Sequence, residues 1–178
     1  MAEDRVTQAV GVARELLEAD GPDAVSMRAI AARMGIRAPS LYKHVPDKAA
    51  LEAHLIAAAL TELGHALRDA GPELADLAAA YRSWAIGHPH LYTLATAQPI
   101  PRDRLPAGVE DQAAAPLLAA FEGDEDRARA AWAAAHGLVS LELADRFPPD
   151  ADLDAAWAAF VAAFSPRPER RAQPRPGA

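Results

Sequence analysis

The sequence of this 178-residue chain predicts an all-α fold. Hydrophobic residues make up 51% of it, but much of that fraction is alanine and only 6% of the residues are aromatic. Alanine has the highest intrinsic helix propensity, whereas β-branched and aromatic residues favour strands. Apolar residues also recur three and four positions apart, which is the periodicity of a helix with one buried face. A folded helical protein of one or two small domains is therefore expected.

The first predicted helix lies close to the N-terminus, and Gly21–Pro22 ends it because proline cannot continue a helix. It is expected to brace the segment that follows. Its apolar residues recur at helical spacing and share one face: Val6, Ala9, Val10, Ala13, Leu16 and Leu17.

The next segment predicts two short helices separated by a tight turn. The Ser26 hydroxyl can cap the first helix by accepting from a free backbone N–H, and Gly35 can adopt the left-handed conformation that ends it. Pro39 suits the first turn of the second helix, where a missing N–H costs nothing, and Pro46 stops that helix near His44. The apolar residues of both helices share an inside face: Ile30, Ala31, Met34, Ile36, Leu41 and Val45.

Residues 26–48 are basic, whereas the chain as a whole is acidic. They hold five arginines and lysines against one acid, Asp47, and so carry +4, while residues 49–164 carry −10 and the whole chain −7. DNA repels an acidic protein on average, so any duplex binding must be focused through this basic segment. Its polar residues are left on the outside of the two helices: Arg28, Arg33, Arg37, Ser40, Tyr42, Lys43, His44 and Lys48.

The rest of the chain predicts a helical body. Asp47 can cap a long fourth helix that ends before Gly71–Pro72. Pro116 is expected to kink the helix that contains it or to delay the start of that helix. In the next helix, the acids at 124–126 and Arg146 are expected to complement the helix dipole. The helices after the fourth are predicted over residues 72–87, 89–96, 109–121, 124–146 and 152–164, with a proline-rich loop over residues 98–108.

The composition also argues against several classes of protein. No cysteine is present, so disulfides and thiolate metal sites are excluded. The charged N-terminus does not predict a signal peptide and no apolar run is long enough to span a bilayer, so a cytoplasmic protein is expected. Richness in Ala, Arg and Pro with only two lysines is typical of a high-GC bacterial genome. Residues 166–178 are too polar and proline-rich to fold alone, and they predict a disordered basic tail.

Residues 41–45, Leu-Tyr-Lys-His-Val, followed by Asp47-Lys48, resemble the TetR family of bacterial transcriptional regulators. The family pattern has an aromatic residue two positions before a histidine, and a lysine at the start of the next helix. Further along the chain, Trp132, His136 and Gly137 resemble the Trp-His-Gly (WHG) type of C-terminal ligand and dimer domain that some members carry.

The resemblance implies a helix-turn-helix DNA-binding domain at residues 1–48, a helical ligand-binding and dimerisation domain at residues 49–165, and the tail at residues 166–178. It also implies a homodimer whose last two helices form a four-helix interface. The two DNA-binding domains of the dimer, about 34 Å apart, would then bind a palindromic operator in double-stranded DNA. An unknown small-molecule effector would control a transcriptional repressor of this kind, and no cofactor is expected.

The same resemblance places the second helix of the motif in the major groove of DNA. Arg28, Ser40 and Lys43 are then candidates for base edges, and Arg37 is a candidate for a phosphate or a base because the family commonly has a small capping residue there. The alternative is a solvated charged face, and His44 could instead sense pH. The predicted DNA-binding residues are Ser26, Arg28, Arg37, Pro39, Ser40, Tyr42, Lys43, His44 and Lys48. Those that fit phosphate contacts are Ser26, Tyr42, His44 and Lys48.

The bulky and ring-bearing residues of the alanine-rich body are the candidates for effector binding, because such side chains can line an apolar pocket with a few polar tips. The alternative is that they fill the core and satisfy their polar groups internally. The predicted effector-binding residues are Trp84, His88, Tyr92, Phe121, Trp132, His136 and Trp157.

Neither a metal site nor catalysis is expected. The histidines of the body lack the spacing of a metal site, and Ser140, one turn after His136, has no accompanying oxyanion hole or third group. Two other functions stay open from the sequence. A constitutive DNA-binding regulator would lack a usable cavity, and a small-molecule-binding protein or enzyme of another class would make the basic segment incidental.

Overall fold

The computed structural model describes the backbone of residues 2–165 and the side chains of residues 4–165, so the predicted tail lies outside the described residues. The described part contains helices and turns but no strand, which confirms the predicted fold class. Short 3-10 turns lie at Pro22–Ala24 and Arg102–Arg104. The helices are α1 (Ala2–Asp20), α2 (Met27–Arg33), α3 (Ala38–Tyr42), α4 (Lys48–Ala70), α5 (Leu74–Gly87), α6 (Pro89–Thr96), α7 (Val109–Ala120), α8 (Glu125–Leu143) and α9 (Leu153–Phe164).

The first three helices form a head, and α4 to α9 form a body. Ile30 of α2 and Leu41 of α3 are almost fully buried in the apolar cluster of the head, the head core. Ser26 Oγ accepts from the backbone N–H of Ala29 at 3.2 Å, and Gly35 has a φ of 66°, so both predicted helix ends are confirmed. The turn between α2 and α3 therefore forms as the sequence indicates.

Helix α3 is shorter than predicted. It ends at Tyr42 rather than near His44, whose N–H bonds to the carbonyl of Leu41 at 2.9 Å in a tighter turn. Pro46 has no N–H with which to continue the helix. Val45 is fully buried and holds this end of the segment in the head core.

Two helices of the body, α4 and α6, contribute residues both to the head core and to a second, neighbouring apolar cluster. In α4, Leu51 and Leu55 belong to the head core, whereas Leu67 belongs to the second cluster, the body core. In α6, the adjacent residues Leu91 and Tyr92 divide in the same way, with 0% and 2% of their surfaces exposed. Movement of α4 or α6 would therefore disturb the packing of head and body together.

Helix α7 begins at its predicted position and runs through Pro116, so the proline does not delay its start. Because Pro116 has no N–H, the carbonyl of Gln112 lacks its usual helical partner, and Arg68 of α4 donates to it at 3.2 Å. The absence of a side chain at Gly64 permits this close approach, since a Cβ there would lie 3.1 Å from Cα of Ala113. The contact between α4 and α7 thus compensates for the proline.

Helix α8 ends at Leu143, before the predicted end near Arg146. Asp145 has a left-handed φ of 51°, and the backbone N–H of Arg146 bonds to the carbonyl of Leu141 at 2.9 Å. The last turn of α8 contains no basic residue, so the prediction that Arg146 complements the helix dipole is wrong.

Candidate nucleic-acid interface

Most of the predicted DNA-binding side chains are exposed, on the head and at the first residue of α4. Leu41 and Val45 are buried, and they fix α3 against the head core with its polar residues turned towards solvent. His44 is half-buried. The exposed members of the predicted set are Ser26, Arg28, Arg37, Pro39, Ser40, Tyr42, Lys43 and Lys48.

The cations of this surface are largely free of acidic partners. Among the described side chains, Arg28, Arg37 and Lys43 form no salt bridge. Lys48 lies 3.7 Å from Glu52, but both side chains are exposed and such a pair contributes little. These cations can therefore approach an anionic ligand without first giving up a strong ion pair.

Arg37 stands at the N-cap of α3 without capping it. Its backbone is extended, with φ −81° and ψ 143°, and its side chain makes no capping hydrogen bond. A guanidinium carries donors only, so it cannot accept from the free N–H groups of a helix start. The Arg37 side chain is exposed at the turn, where it is available to a phosphate or a base.

Side chains cap the two helices that flank this surface. The Ser26 hydroxyl oxygen accepts from Ala29, and its proton stays available to a phosphate oxygen. Asp47 Oδ1 accepts from the backbone N–H of Ala50 at 2.6 Å and from Arg104 Nη1 at 3.0 Å. The bond from Ala50 lowers the pKa of Asp47 most, and the charge of Arg104 lowers it further, so this carboxylate is ionised.

A line of hydrogen bonds joins three helices of the body. Tyr81 Oη of α5 lies 2.9 Å from Tyr92 Oη of α6, which lies 2.6 Å from Nδ1 of His136 in α8. Burial raises the pKa of both tyrosines, so both phenols are neutral. The ring of Trp132, which is 50% exposed, lies 6.1 Å from the ring of His136. Three of the predicted effector residues therefore meet here, together with Tyr81, which was not predicted.

The other predicted effector residues make separate contacts. The rings of Trp84 and His88 lie 5.3 Å apart, and His88 Nδ1 lies 2.9 Å from the Trp84 carbonyl oxygen. Phe121 is buried beneath the guanidinium of Arg127, at 5.1 Å. Trp157 is buried but borders a groove of about 230 Å³ between α5 and α9, which none of the other six residues lines.

Arg82 is a structural residue that the sequence analysis missed. Its Nε and Nη2 donate to the carboxylate of Glu142 in α8, with the shortest distance 2.8 Å, and its Nη1 donates to Asp154 in α9 at 2.6 Å. Its guanidinium also lies 5.8 Å from the centre of the Trp157 ring. The signal in the sequence is that Arg82 is the single basic residue of α5.

Within residues 4–165, no group of three or more His, Asp or Glu side chains is arranged to hold a metal ion. None of the helices between residues 2 and 165 is both long enough and apolar enough to cross a membrane.

The sequence matches two family models and a curated relative. The model described as tetracyclin repressor-like, C-terminal domain, matches residues 74–164, and that of bacterial regulatory proteins, tetR family, matches residues 10–55. The uncharacterized HTH-type transcriptional regulator Rv0681 of Mycobacterium tuberculosis is 32% identical over 179 residues. That alignment covers 87% of this chain and 77% of the relative.

Solved structures share the fold. A protein with unknown function from Rhodococcus sp. RHA1 has a TM-score of 0.74 at 22% identity, over 90% of this chain and 93% of that one. The multidrug binding protein EbrR, complexed with imidazole, has a TM-score of 0.63 at 22% identity, over 94% and 98% of the two chains. At these identities the likeness shows a common arrangement of helices.

Proposed function

Because this chain belongs to the TetR family of bacterial transcriptional regulators and is a DNA-binding regulator, we propose that it is a homodimeric repressor released by a small-molecule effector. The head of each protomer, within a DNA-binding domain at residues 1–48, binds one half of a palindromic operator. The bound dimer occludes a promoter. The ligand-binding and dimerisation domain, residues 49–165, carries the dimer interface and the effector site.

The observation that carries this proposal is the set of exposed cations on α2, in the turn that follows it and at the C-cap of α3. Arg28 and Lys43 are free of salt bridges among the described side chains, and they belong to a segment of charge +4 in a chain of charge −7. Both can donate to O6 and N7 of guanine in the major groove. Residues 49–164 carry −10 and are repelled by DNA as a whole, so they orient the encounter with the basic segment towards the duplex.

The apolar surface of α8 and α9 supports a homodimer. Leu141 of α8 is 45% exposed. The buried face of α9 carries Trp157 and Phe160, while its exposed face is built from alanines that would let a second helix approach closely. These alanines are Ala155, Ala158, Ala159, Ala162 and Ala163.

Dimerisation is tested by Ala159→Glu, which places a charge in the middle of the exposed alanine face of α9. We expect the wild type to have the mass of a dimer in analytical ultracentrifugation and the variant to have the mass of a monomer, because an unpaired charge is costly in an apolar interface. Ala114→Glu, at an exposed alanine of α7, is the matched control and should leave the dimer intact. Equal masses for the wild type and Ala159→Glu would reject this interface.

The line from Tyr81 through Tyr92 to His136 supports an effector site in the body. It places polar groups within an apolar core beside the half-exposed ring of Trp132, which is the mixture that small-molecule sites use. Tyr92 lies in α6, next to Leu91 of the head core, so a ligand at Tyr92 would act on the head through a single helix. A coupling free energy of about 1–3 kcal/mol would be typical.

The experiment that tests the proposed function is selection of genomic DNA fragments by the wild-type protein over a series of salt concentrations. We expect enrichment of a palindromic motif whose half-sites are about one helical turn apart. Weak, salt-sensitive binding without an enriched motif would reject sequence-specific regulation.

A constitutive regulator is the second candidate, and one observation favours it. The groove of about 230 Å³ between α5 and α9 is smaller than most small-molecule sites and includes Trp157 alone of the predicted effector residues. Screening metabolites and drugs for release of the selected operator distinguishes the two candidates. Release by a compound that also raises the thermal stability of the protein supports the effector, whereas unchanged operator affinity throughout supports the constitutive regulator.

A further inference from the structure

Arg104 is a cation of the body that contacts the DNA-binding segment. It ends a short 3-10 turn in the loop between α6 and α7, and its Nη1 donates to Asp47 Oδ1 at 3.0 Å. Asp47 directly precedes Lys48, a predicted phosphate contact, and is the single acid of residues 26–48. The loop thus brings a positive charge to the one negative charge of the basic segment.

The ion pair leaves most of the Arg104 guanidinium unused. Among the described side chains, Arg104 donates one hydrogen bond, to Asp47, whereas a guanidinium has five N–H donors. The side chain of Arg104 is 43% exposed and that of Asp47 is 52% exposed. Arg104 also borders an open groove of about 310 Å³ along the first turns of α4, lined by Pro46 and His54 as well. Its remaining donors can therefore reach an anion without breaking the pair.

Asp47 is a fixed partner rather than a mobile surface charge. Its Oδ1 also accepts from the backbone N–H of Ala50 at 2.6 Å, which holds the carboxylate at the start of α4. An ionised carboxylate at this position would repel a DNA phosphate bound by Lys48. A guanidinium paired with it cancels that repulsion and supplies donors of its own.

We propose that Arg104 is a phosphate-binding residue of the DNA interface, supplied by the loop between α6 and α7 of the body. It neutralises Asp47 and, beside Lys48, binds an oxygen of the DNA backbone. This inference rests on the proposed function, since it requires that the head binds a duplex. It adds that the body contacts DNA beyond the first residue of α4, through the loop that directly follows α6.

Arg102 offers a matched control within the same turn. It has the same side chain and is 71% exposed, but its guanidinium pairs with Glu110 of α7 at 3.0 Å. Arg102→Gln and Arg104→Gln therefore change the net charge of the protein equally. Only the second removes a cation next to Asp47.

Asp47→Asn separates the proposed role from a purely structural one. Asparagine caps a helix about as well as aspartate, so α4 keeps its N-terminal hydrogen bond while the ion pair with Arg104 is lost. If Arg104 only ties the loop to α4, Asp47→Asn and Arg104→Gln should weaken DNA binding alike. If Arg104 binds a phosphate, the two changes should act in opposite directions, because one removes a negative charge from the surface and the other removes a positive one.

The test measures binding of the full chain to two labelled duplexes over a salt series, one carrying the motif selected by the wild type and one of mixed sequence. We expect Arg104→Gln to weaken binding to both duplexes by roughly tenfold and to reduce the slope of log K against log salt by about 1 per bound head. Arg102→Gln should stay within about twofold of the wild type, and Asp47→Asn should bind as tightly as the wild type or more tightly. Circular dichroism confirms that each variant is folded.

Two results would overturn the inference while the proposed function stands. In one, the wild type selects a motif and Arg104→Gln is indistinguishable from Arg102→Gln. In the other, Asp47→Asn weakens binding as much as Arg104→Gln does. If the wild type binds neither duplex, the proposed function fails as well.

Discussion

Glu18 of α1 accepts a hydrogen bond at 2.9 Å from the backbone N–H of Leu91, in the first turn of α6. His88, the N-cap of α6, provides no side-chain cap, so a carboxylate from the head satisfies one of the free N–H groups at this helix start. Its negative charge also lies at the positive end of the helix dipole. The head and the body are thus joined at the helix that carries Tyr92.

Replacing Glu18 with alanine should lower the free energy of unfolding by about 1 kcal/mol, because Leu91 would lose its hydrogen bond partner. Glu15→Ala, an exposed acid of the same helix, is the control and should change it by less than about 0.5 kcal/mol. Urea unfolding followed by circular dichroism measures both. Equal stability of the two variants would show that the contact between α1 and α6 does not stabilise the fold.

Arg37→Ser should change stability and DNA affinity in opposite directions. Serine can cap α3 where arginine does not, so we expect a gain of about 1 kcal/mol in the free energy of unfolding. Loss of the cation should weaken operator binding in a salt-dependent way. Arg33→Ser removes the same charge at the end of α2 without adding a cap, so it should not raise stability. If Arg37→Ser binds the operator as tightly as the wild type does, Arg37 is a solvated turn residue without a role in DNA binding.

Tyr81 and Tyr92 should make the protein sensitive to alkali. Burial raises the pKa of both above the ordinary value of 10.0, so the unfolded chain releases these protons at a lower pH than the folded protein. Stability is therefore retained below about pH 10 and lost as the pH rises further. In a Tyr42→Phe background, which leaves these two as the tyrosines of the chain, tyrosinate absorbance should rise together with loss of helical circular dichroism. Ionisation of both tyrosines in a protein that remains helical would contradict this prediction.

The local features of the head and of the start of α4 were predictable because short-range chemistry determines them. The cap at Ser26, the left-handed Gly35 and the cap at Asp47 each depend on residues within three or four positions. Helix ends were less predictable where no such residue marks them. Nothing in the local pattern indicates that Asp145 adopts a left-handed φ and ends α8 before Arg146.

Contacts between distant parts of the chain were not predictable. Arg68 and Gln112 meet because Pro116 leaves a carbonyl free on α7, and the pairing requires the packing of α4 on α7 to be known. The same holds for Arg82 with Glu142, which lie 60 residues apart. The predicted effector residues show most clearly what the sequence does not predict. Their residue types are typical of a small-molecule pocket, but only the packing of the helices determines which of them lie close together.

In the proposed function, bases are recognised by Arg28 of α2 and by Lys43 at the C-cap of α3. The most direct measurement compares affinities for the selected motif and for a scrambled duplex, using Arg28→Ala, Lys43→Ala and the exposed control Arg33→Ala. We predict that the first two lose about 1–3 kcal/mol of discrimination between the duplexes, whereas Arg33→Ala weakens binding to both and keeps the ratio. A ratio unchanged in all three variants would contradict base recognition by these side chains.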